Sequence, residues 1–182
     1  MNETNPTRLL ITAGGTAEPL DDVRFLGNRS SGKLGCLLAQ TAAIHSYEVT
    51  LLLGPNTLSQ TSHPRLNTIP FTSTRDLSAK LMELWPSHDV LIMAAAVADF
   101  TPKGGQTRGK IRRGNEMTIE MTPTEDLIAK LAHDKRADQR IIGFALEDPA
   151  ELTKAAIEKL QRKKIDAIVA NPLETMESKT IT

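Results

Sequence analysis

Short apolar runs alternate with longer amphipathic segments along this chain of 182 residues. An apolar run bounded by polar or glycine residues is typical of a buried parallel strand, whereas apolar positions three or four apart are typical of a helix packed on a sheet. The alternation predicts an α/β fold with a parallel sheet covered on both faces. The predicted strands are Arg8–Thr12, Glu48–Leu53, Thr68–Phe71, Val90–Ala95, Met117–Met121, Ile141–Ala145 and Ala167–Ala170, and the predicted helices are Ser31–Ile44, Thr74–Leu84, Asp126–His133 and Glu151–Arg162.

Composition narrows the functional classes. The chain has 22 basic and 22 acidic residues, so no overall field favours nucleic acid or an anionic membrane. Aromatic residues make up 3% of the chain, which argues against a stacking surface for single-stranded nucleic acid. No apolar stretch is long enough to span a bilayer, and the polar start MNETNPT lacks the apolar core of a signal peptide. We therefore expect a cytoplasmic protein with one domain over residues 1–182.

The residue types of zinc sites and covalent catalysis are not arranged for those roles. The four histidines are isolated in sequence, without the paired spacing of metal ligands. The single cysteine, Cys36, lies inside the first predicted helix beside apolar residues, which favours a buried thiol over a nucleophile. No G-x-S-x-G motif is present. Covalent catalysis therefore has no visible candidate.

The segment LLITAGGTAEPLDDVRFLGNRSSGKLG, residues 9–35, combines two glycine-bearing turns. Gly14 and Gly15 follow the first predicted strand, and the Ser30-Ser31-Gly32 triplet opens the first predicted helix. Free N–H groups at a helix start, together with the helix dipole, attract a phosphate or a carboxylate. The spacing matches neither the G-x-G-x-x-G fingerprint nor the P-loop order. The segment indicates an anion site without specifying its ligand.

Residues that follow the predicted strands are candidates for ligand contacts, because ligands of open parallel sheets bind beyond the carboxyl ends of the strands. The small side chains of residues 94–96 would let a flat ring approach the backbone, although a strand packed tightly under a helix is an equal alternative. Asp99 could take a ribose hydroxyl or a metal-bound water, or simply cap a turn.

Two cationic stretches follow later in the chain. Residues 101–113 contain three glycines and five basic residues, which predicts a mobile cationic loop able to close over a reacting phosphate, or else a solvated surface segment. The basic residues of Lys159–Lys164 end the last predicted helix, where the helix dipole alone would favour them.

Five segments, in order and spread over nearly the whole chain, carry a resemblance to a known family. They are ITAGGTAEPLDDVRFLGNRSSGKLG, MAAAVADFTP, GKIRR, IIGFALE and KLQRKKIDAIVAN. Together they resemble the phosphopantothenoylcysteine synthetase (phosphopantothenate–cysteine ligase) family of coenzyme A biosynthesis. The resemblance implies a Rossmann-like three-layer fold with a mostly parallel sheet. It also implies that a nucleoside triphosphate activates the carboxylate of 4'-phosphopantothenate with release of pyrophosphate, and that the amino group of L-cysteine then attacks the acyl-nucleotide.

The resemblance also implies roles for individual residues. Asn28 would hold the acyl-nucleotide intermediate, Lys110 would neutralise charge in the transition state that forms it, and Arg24 would engage phosphate or carboxylate oxygens. Mg²⁺ would accompany CTP or, as the alternative, ATP, with Asp99 a candidate to reach the metal through water. The further implied substrate- and nucleotide-binding residues are Gly14, Gly15, Ser30, Ser31, Gly32, Met93, Ala94, Ala95, Glu125, Asp126, Leu127, Ile128, Phe144, Lys159 and Lys163.

Departures from the family pattern shape the remaining expectations. Glu125-Asp126 stands where a Pro-Asp pair is usual. Many relatives carry a flavin-dependent decarboxylase domain in front and continue into further strands used in dimer contacts. A ligase-only protein with a separate decarboxylase is therefore implied. The sequence ends at residues 178–182, before the family's further strands, so that either the family's tail is missing or this is a compact variant; the family itself implies a homodimer. A nicotinamide or flavin oxidoreductase would need G-x-G-x-x-G and an acid after the second strand, where Gly54-Pro55 stands. A non-catalytic binder of nucleotide or phosphopantothenate stays open as an alternative.

Overall fold

The computed structural model describes residues 6–55, 57, 62–114 and 116–173, so that residues 1–5 of the polar start lie outside it. The strands of this part of the chain are β1 (Arg8–Ala13), β2 (Ala17–Pro19), β3 (Phe25–Gly27), β4 (Glu48–Leu53), β5 (Leu66–Pro70), β6 (Val90–Met93), β7 (Phe100–Pro102), β8 (Met121–Pro123), β9 (Arg140–Glu147) and β10 (Ala167–Pro172). The helices are α1 (Lys33–Ile44), α2 (Thr74–Leu84), α3 (Leu127–Asp134) and α4 (Leu152–Lys163), with a short 3₁₀ helix at Trp85–Ser87.

A six-stranded sheet in the order β10-β9-β6-β1-β4-β5 organises the molecule, and every neighbouring pair in it is parallel. The chain starts in the centre at β1, moves outward through β4 and β5, then returns to β6 and moves outward in the other direction. This is the Rossmann-like arrangement, and the predicted fold class is confirmed. The order reverses between β1 and β6, and the connections that leave these two strands open a crevice at their carboxyl ends.

Both faces of the sheet are covered by helices, and the side chains of β1 alternate between the two faces. Leu9 and Ile11 pack with Cys36 of α1, while Leu10 packs in a larger cluster with Leu77 of α2 and residues of α3. Cys36 is buried, as predicted for a structural thiol. Among the described residues, none of the helices has the length and apolar character needed to cross a membrane.

Three features of the predicted element set are wrong. The predicted strand Met117–Met121 is instead β8, which starts at Met121 and pairs antiparallel with β7. The first helix begins at Lys33 and not at Ser31, since Gly32 adopts a left-handed φ of 71°. The strand predicted over Val90–Ala95 ends at Met93, and the following segment turns toward β1. The short antiparallel pairs β2–β3 and β7–β8 were not predicted, because three-residue strands are too short to show an alternating pattern.

Candidate active site

The crevice between β1 and β6 is lined by small residues. After the two strands end, the Ala96 N–H donates to the Gly14 carbonyl at 2.8 Å, and the Thr16 N–H donates to the Ala96 carbonyl at 3.1 Å. Gly15 and Ala96 form an isolated parallel bridge. The glycine turn after β1 and the alanine segment after β6, both predicted as site segments, are therefore hydrogen-bonded to each other at the crevice. Their small side chains leave the backbone accessible there.

Asn28 lies directly on this backbone. Its Nδ2 donates to the Ala96 carbonyl at 2.6 Å, and its Oδ1 accepts from the Ser30 N–H at 3.0 Å. A Cβ atom added at Gly15 would lie 2.2 Å from Asn28 Oδ1, so any residue larger than glycine would displace the amide. The structure thus brings the predicted catalytic asparagine onto the predicted glycine turn and beside the predicted serine.

The start of α1 lies against the same turn. A Cβ atom added at Gly32 would meet the Gly14 nitrogen at 3.0 Å, so the backbones of the two glycines are nearly in contact. The helix begins without a side-chain cap, and only a long contact of 3.5 Å joins the Lys33 N–H to the Ser31 hydroxyl, within the described part of the chain. Open first-turn N–H groups at this point are consistent with the predicted anion site.

A β-hairpin formed by β2 and β3 leads into Asn28, and its base is fixed. The buried carboxylate of Glu18 accepts from the Thr74 N–H at 2.8 Å and from the Thr74 hydroxyl at 2.7 Å, at the first turn of α2. A carboxylate is favoured there by the helix dipole. The contact anchors the hairpin to the sheet's helical layer and so sets the position of Asn28.

The turn of this hairpin holds Arg24 against a buried acid. Asp21 accepts from the backbone N–H groups of Val23 and Arg24, and its Oδ2 receives the Arg24 guanidinium at 2.6 Å. The guanidinium holds the pKa of the Asp21 carboxyl well below its usual range, with the backbone donors adding to the effect. Arg24, predicted to bind an anionic ligand, also donates to the Ile111 carbonyl at 2.6 Å.

Lys110 is carried by the loop that packs on the same hairpin turn. The Gly109 N–H donates to Asp22 Oδ2 at 2.8 Å, and the Ile111 N–H donates to Asp21 Oδ2 at 3.0 Å. The Lys110 ammonium is exposed and makes no hydrogen bond or ion pair within the described residues. Three residues of strand separate the turn from Asn28, a span of about 10 Å. Both predicted catalytic residues are therefore positioned by one hairpin.

Asp99 follows β6 at the surface, next to the β7–β8 pair. Its backbone carbonyl accepts from the Thr124 N–H at 2.9 Å, and the Thr124 hydroxyl donates to the Ala98 carbonyl at 2.6 Å. These bonds join the segment that leads into α3 to the segment between β6 and β7. The described part of the chain has no group of three or more His, Cys, Asp or Glu side chains that could hold a metal ion.

A second group of predicted site residues meets on the other side of β6. Lys159 Nζ donates to the Phe144 carbonyl at 2.9 Å, and Lys163 Nζ contacts the Asp126 carboxylate at 3.0 Å. Asp126 also caps α3 by accepting from the Ala129 N–H at 3.2 Å. Burial lowers the pKa of Lys159, and the neighbouring Lys163 cation lowers it further.

Some predicted ligand-binding residues face elsewhere. The side chains of Met93, Leu127 and Ile128 are buried in the hydrophobic core. Glu125 binds Lys130 at 2.7 Å, which together with a hydrogen bond from Ser78 lowers the pKa of its carboxyl. The side chains of these four residues are therefore engaged within the protein. Contact of the nucleotide base with the backbone of residues 93–95, and the lining of the nucleotide site by residues 125–128, stay predictions.

A polar cavity of about 360 Å³ lies at the amino ends of the strands, on the opposite side of the sheet from the crevice at their carboxyl ends. Its lining includes an ion pair between Arg65 and Glu48, and the buried His88, which is hydrogen-bonded to the Thr50 hydroxyl. Because ligands of parallel sheets bind at the carboxyl ends, this cavity does not compete with the crevice as the candidate site.

Sequence reasoning missed the acidic residues that position the site. Glu18, Asp21 and Asp22 stand inside the glycine-rich segment, yet no function was predicted for them. The signal that was available is the pair of acids between two short apolar stretches, since Asp is favoured in turns where its carboxylate accepts local N–H groups. Their long-range partners follow only from the tertiary structure: Thr74 for Glu18, and residues 106–111 for Asp21 and Asp22.

Comparisons with known proteins show the family of this chain. The family model described as the DNA/pantothenate metabolism flavoprotein C-terminal domain matches residues 4–181. The chain is 46% identical over 171 residues to a cysteine/cysteine sulfinic acid decarboxylase from an unknown prokaryotic organism, covering 93% of this chain and 47% of that protein. It is 40% identical over 174 residues to the coenzyme A biosynthesis bifunctional protein CoaBC of Mycobacterium tuberculosis, covering 90% of this chain and 41% of that protein.

A solved structure of the C-terminal domain of CoaBC superposes with a TM-score of 0.77 at 30% identity, covering 97% of this chain and 91% of that one. The chain therefore spans nearly all of that domain but less than half of either full-length relative.

Proposed function

Because the chain belongs to the family of DNA/pantothenate metabolism flavoprotein C-terminal domains, we propose that it is a phosphopantothenate–cysteine ligase. A carboxylate oxygen of 4'-phosphopantothenate attacks the α-phosphorus of a nucleoside triphosphate, and pyrophosphate leaves. The cysteine amine then attacks the acyl carbon, an amide bond forms, and the nucleoside monophosphate leaves. The observation that carries the proposal is the hairpin that places Asn28 on the crevice and holds the Lys110 loop at its turn.

The first step requires stabilisation of negative charge on the α-phosphate and on the departing pyrophosphate. The Lys110 ammonium has no hydrogen-bond or ion-pair partner among the described residues, and the Arg24 guanidinium donates to the carbonyl of the next residue, Ile111. A fixed cation stabilises the developing charge most when it need not reorganise during the reaction. The open N–H groups at the start of α1 add a partial positive charge beside Gly14.

The second step requires that the acyl-nucleotide stays oriented while the amine attacks. Asn28 suits this role because its amide is an uncharged donor and acceptor, so that it can polarise a carbonyl without taking up a proton. Its two contacts, with the Ala96 carbonyl and the Ser30 N–H, fix the plane of the amide over Gly15. Orientation of this kind converts attack by the amine into an effectively unimolecular step.

The triphosphate would extend toward the group formed by Phe144, Lys159, Lys163 and Asp126. Lys163 contacts a carboxylate in the described structure, so a phosphate would replace one anionic partner by another. Asp99 is an exposed carboxylate directly before β7 and fits Mg²⁺ held mainly by phosphate oxygens and water, which is the usual way proteins hold this ion with a nucleotide. Bound there, Mg²⁺ would neutralise phosphate charge.

The test combines purified protein with Mg²⁺, 4'-phosphopantothenate, L-cysteine and either CTP or ATP. We expect stoichiometric pyrophosphate and phosphopantothenoylcysteine, measured by a coupled assay and by mass spectrometry, and faster turnover with CTP. A folded protein that binds the nucleotide in calorimetry but releases no pyrophosphate under any of these conditions would support the non-catalytic binder instead. Preference for CTP over ATP, a homodimer, a cytoplasmic location and a separate decarboxylase stay predictions from the sequence.

A further inference from the structure

The backbone on both sides of Lys110 is held by two adjacent carboxylates, Asp21 and Asp22. We propose that these two residues, the Asp21–Asp22 clamp, are positioning residues that hold the Lys110 ammonium at the reacting phosphate. The proposal rests on the ligase function proposed above and assigns to it two residues that act through Lys110 without touching the substrate.

Asp22 holds the residue before Lys110. Its Oδ2 accepts from the Gly109 N–H at 2.8 Å, and its own N–H donates to the Gly109 carbonyl at 3.2 Å. Its Oδ1 accepts from Gln106 Nε2 at 2.8 Å. Both backbone polar groups of Gly109 are therefore bonded to one residue, 87 positions away in sequence.

Asp21 holds the residue after Lys110. Its Oδ2 accepts from the Ile111 N–H at 3.0 Å, and the guanidinium of Arg24, which is paired with the same carboxylate, donates to the Ile111 carbonyl at 2.6 Å. Both backbone polar groups of Ile111 are thus bonded as well. Because the Asp21 side chain is fully buried and ion-paired, this carboxylate holds a charge and an orientation that solvent does not disturb.

Hydrogen bonds, and not apolar packing, determine where this loop lies. A Cβ atom added at Gly104, Gly105 or Gly109 would meet nothing within 4 Å, and the Lys110 side chain is exposed. A loop with so little packing would lose its order without other contacts, because ordering each residue costs conformational entropy. The clamp therefore has its main structural effect on the position of Lys110 and leaves the hydrophobic core unaffected.

The decisive measurement is a double-mutant cycle on pyrophosphate release with Asp22→Ala and Lys110→Gln. Asp22 is exposed, so its removal leaves the fold intact. We expect Asp22→Ala to lower kcat about 10- to 100-fold, the range in which a misplaced group reduces rates, with a smaller change in KM for the nucleotide. In the Lys110→Gln background the same substitution should have almost no further effect. Asp22→Asn, which keeps one of the two acceptor oxygens, should fall in between.

Asp138→Ala is the matched control, because Asp138 is also an exposed carboxylate that pairs with an arginine, but near the amino end of β9. Its kcat should equal that of the unmodified chain. The clamp is refuted if Asp22→Ala is as active as Asp138→Ala. It is also refuted if the double variant lowers kcat by the full product of the decreases caused by Asp22→Ala and Lys110→Gln alone.

Hydrogen exchange separates this proposal from the proposed function. Asp22→Ala should speed exchange of the Gly109 and Ile111 amides while the melting temperature stays within about 2 °C of the unmodified chain, as expected for a surface substitution. Unchanged exchange at both amides would refute the clamp even for an inactive protein. Absence of pyrophosphate release from the unmodified chain, with the exchange effect present, would instead refute the ligase function alone.

Discussion

The lysines of the candidate site form two groups, Lys110 alone and Lys159 with Lys163, and the protein holds the two groups in opposite ways. Lys110 has its neighbouring backbone fixed by Asp21 and Asp22, while its ammonium is exposed. Lys159 and Lys163 have their ammonium groups bonded within the protein, and the side chain of Lys163 is only 13% exposed. A free but positioned cation can act on a charge that appears only in the transition state, whereas a cation that must exchange partners contributes mainly to ground-state binding.

The sharpest test of this difference is Lys110→Gln. The substitution removes a charge but no contact within the described structure, so we expect the rate of pyrophosphate release to fall about 10²- to 10³-fold, as for loss of a transition-state donor elsewhere. Thermal unfolding should be unchanged. Lys154→Gln, an exposed position of α4, serves as the control and should keep full activity. Release at the unmodified rate would remove Lys110 from the activation step.

Asn28→Asp tests the crevice between β1 and β6. Aspartate cannot donate to the Ala96 carbonyl, which accepts from Asn28 at 2.6 Å, so two oxygens would repel there and the side chain would turn away. We expect pyrophosphate release to continue while amide formation falls about 10²-fold, because the acyl-nucleotide loses its orientation. Mass spectrometry should then detect the acyl-nucleotide. Equal loss of both steps would contradict a role confined to coupling.

Lys163→Gln tests the opposite arrangement. Because Lys163 must leave Asp126 to meet a phosphate, its net contribution to binding is modest, and we expect KM for the nucleotide to rise about 3- to 10-fold with kcat nearly unchanged, the pattern of lost uniform binding. Steady-state kinetics with varied nucleotide concentration measure both values. A drop in kcat as large as that of Lys110→Gln would show that the two lysine groups do not differ in role.

The smallest expected effect is on acid stability. The pKa of Asp21 is lowered in the folded protein by the Arg24 guanidinium, so the unfolded chain binds the proton more tightly. The stabilisation from this carboxylate is therefore present above the ordinary aspartate pKa of about 4 and is lost as the pH falls below it. Chemical denaturation at pH 7, 4 and 3 should show a steeper decline for the unmodified chain than for Asp21→Asn. Asp99→Asn, an exposed aspartate, should decline like the unmodified chain; parallel curves for all three would contradict the effect.

The main sheet could be predicted because its strands are long enough to show their burial. Residues 9–11 and 90–93 are apolar, and residues 49–53 are apolar except for Thr50. The strands predicted there match central strands of the sheet, although the third ends at Met93 and not at Ala95. The family indicated by the five segments is confirmed by the match over residues 4–181. The β2–β3 and β7–β8 pairs were missed, since each strand has three residues and exposed apolar side chains such as Phe25 and Phe100.

The sequence by itself determined the chain order of the four helices and of the six strands of the main sheet, and it indicated the glycine-rich segment after β1 and the candidate catalytic residues, because these depend on local patterns and on resemblance. Only the tertiary structure decided that Asn28 rests on Gly15 and Ala96 and that Asp21 and Asp22 hold the segment around Lys110. The physical reason is that the hydrogen bonds from Asn28 to Ala96, and from Gly109 and Ile111 to the two aspartates, join residues 68 to 90 positions apart. A carboxylate in a turn has the same local sequence whether it accepts from its own turn or from a distant loop, and folding alone selects the partner.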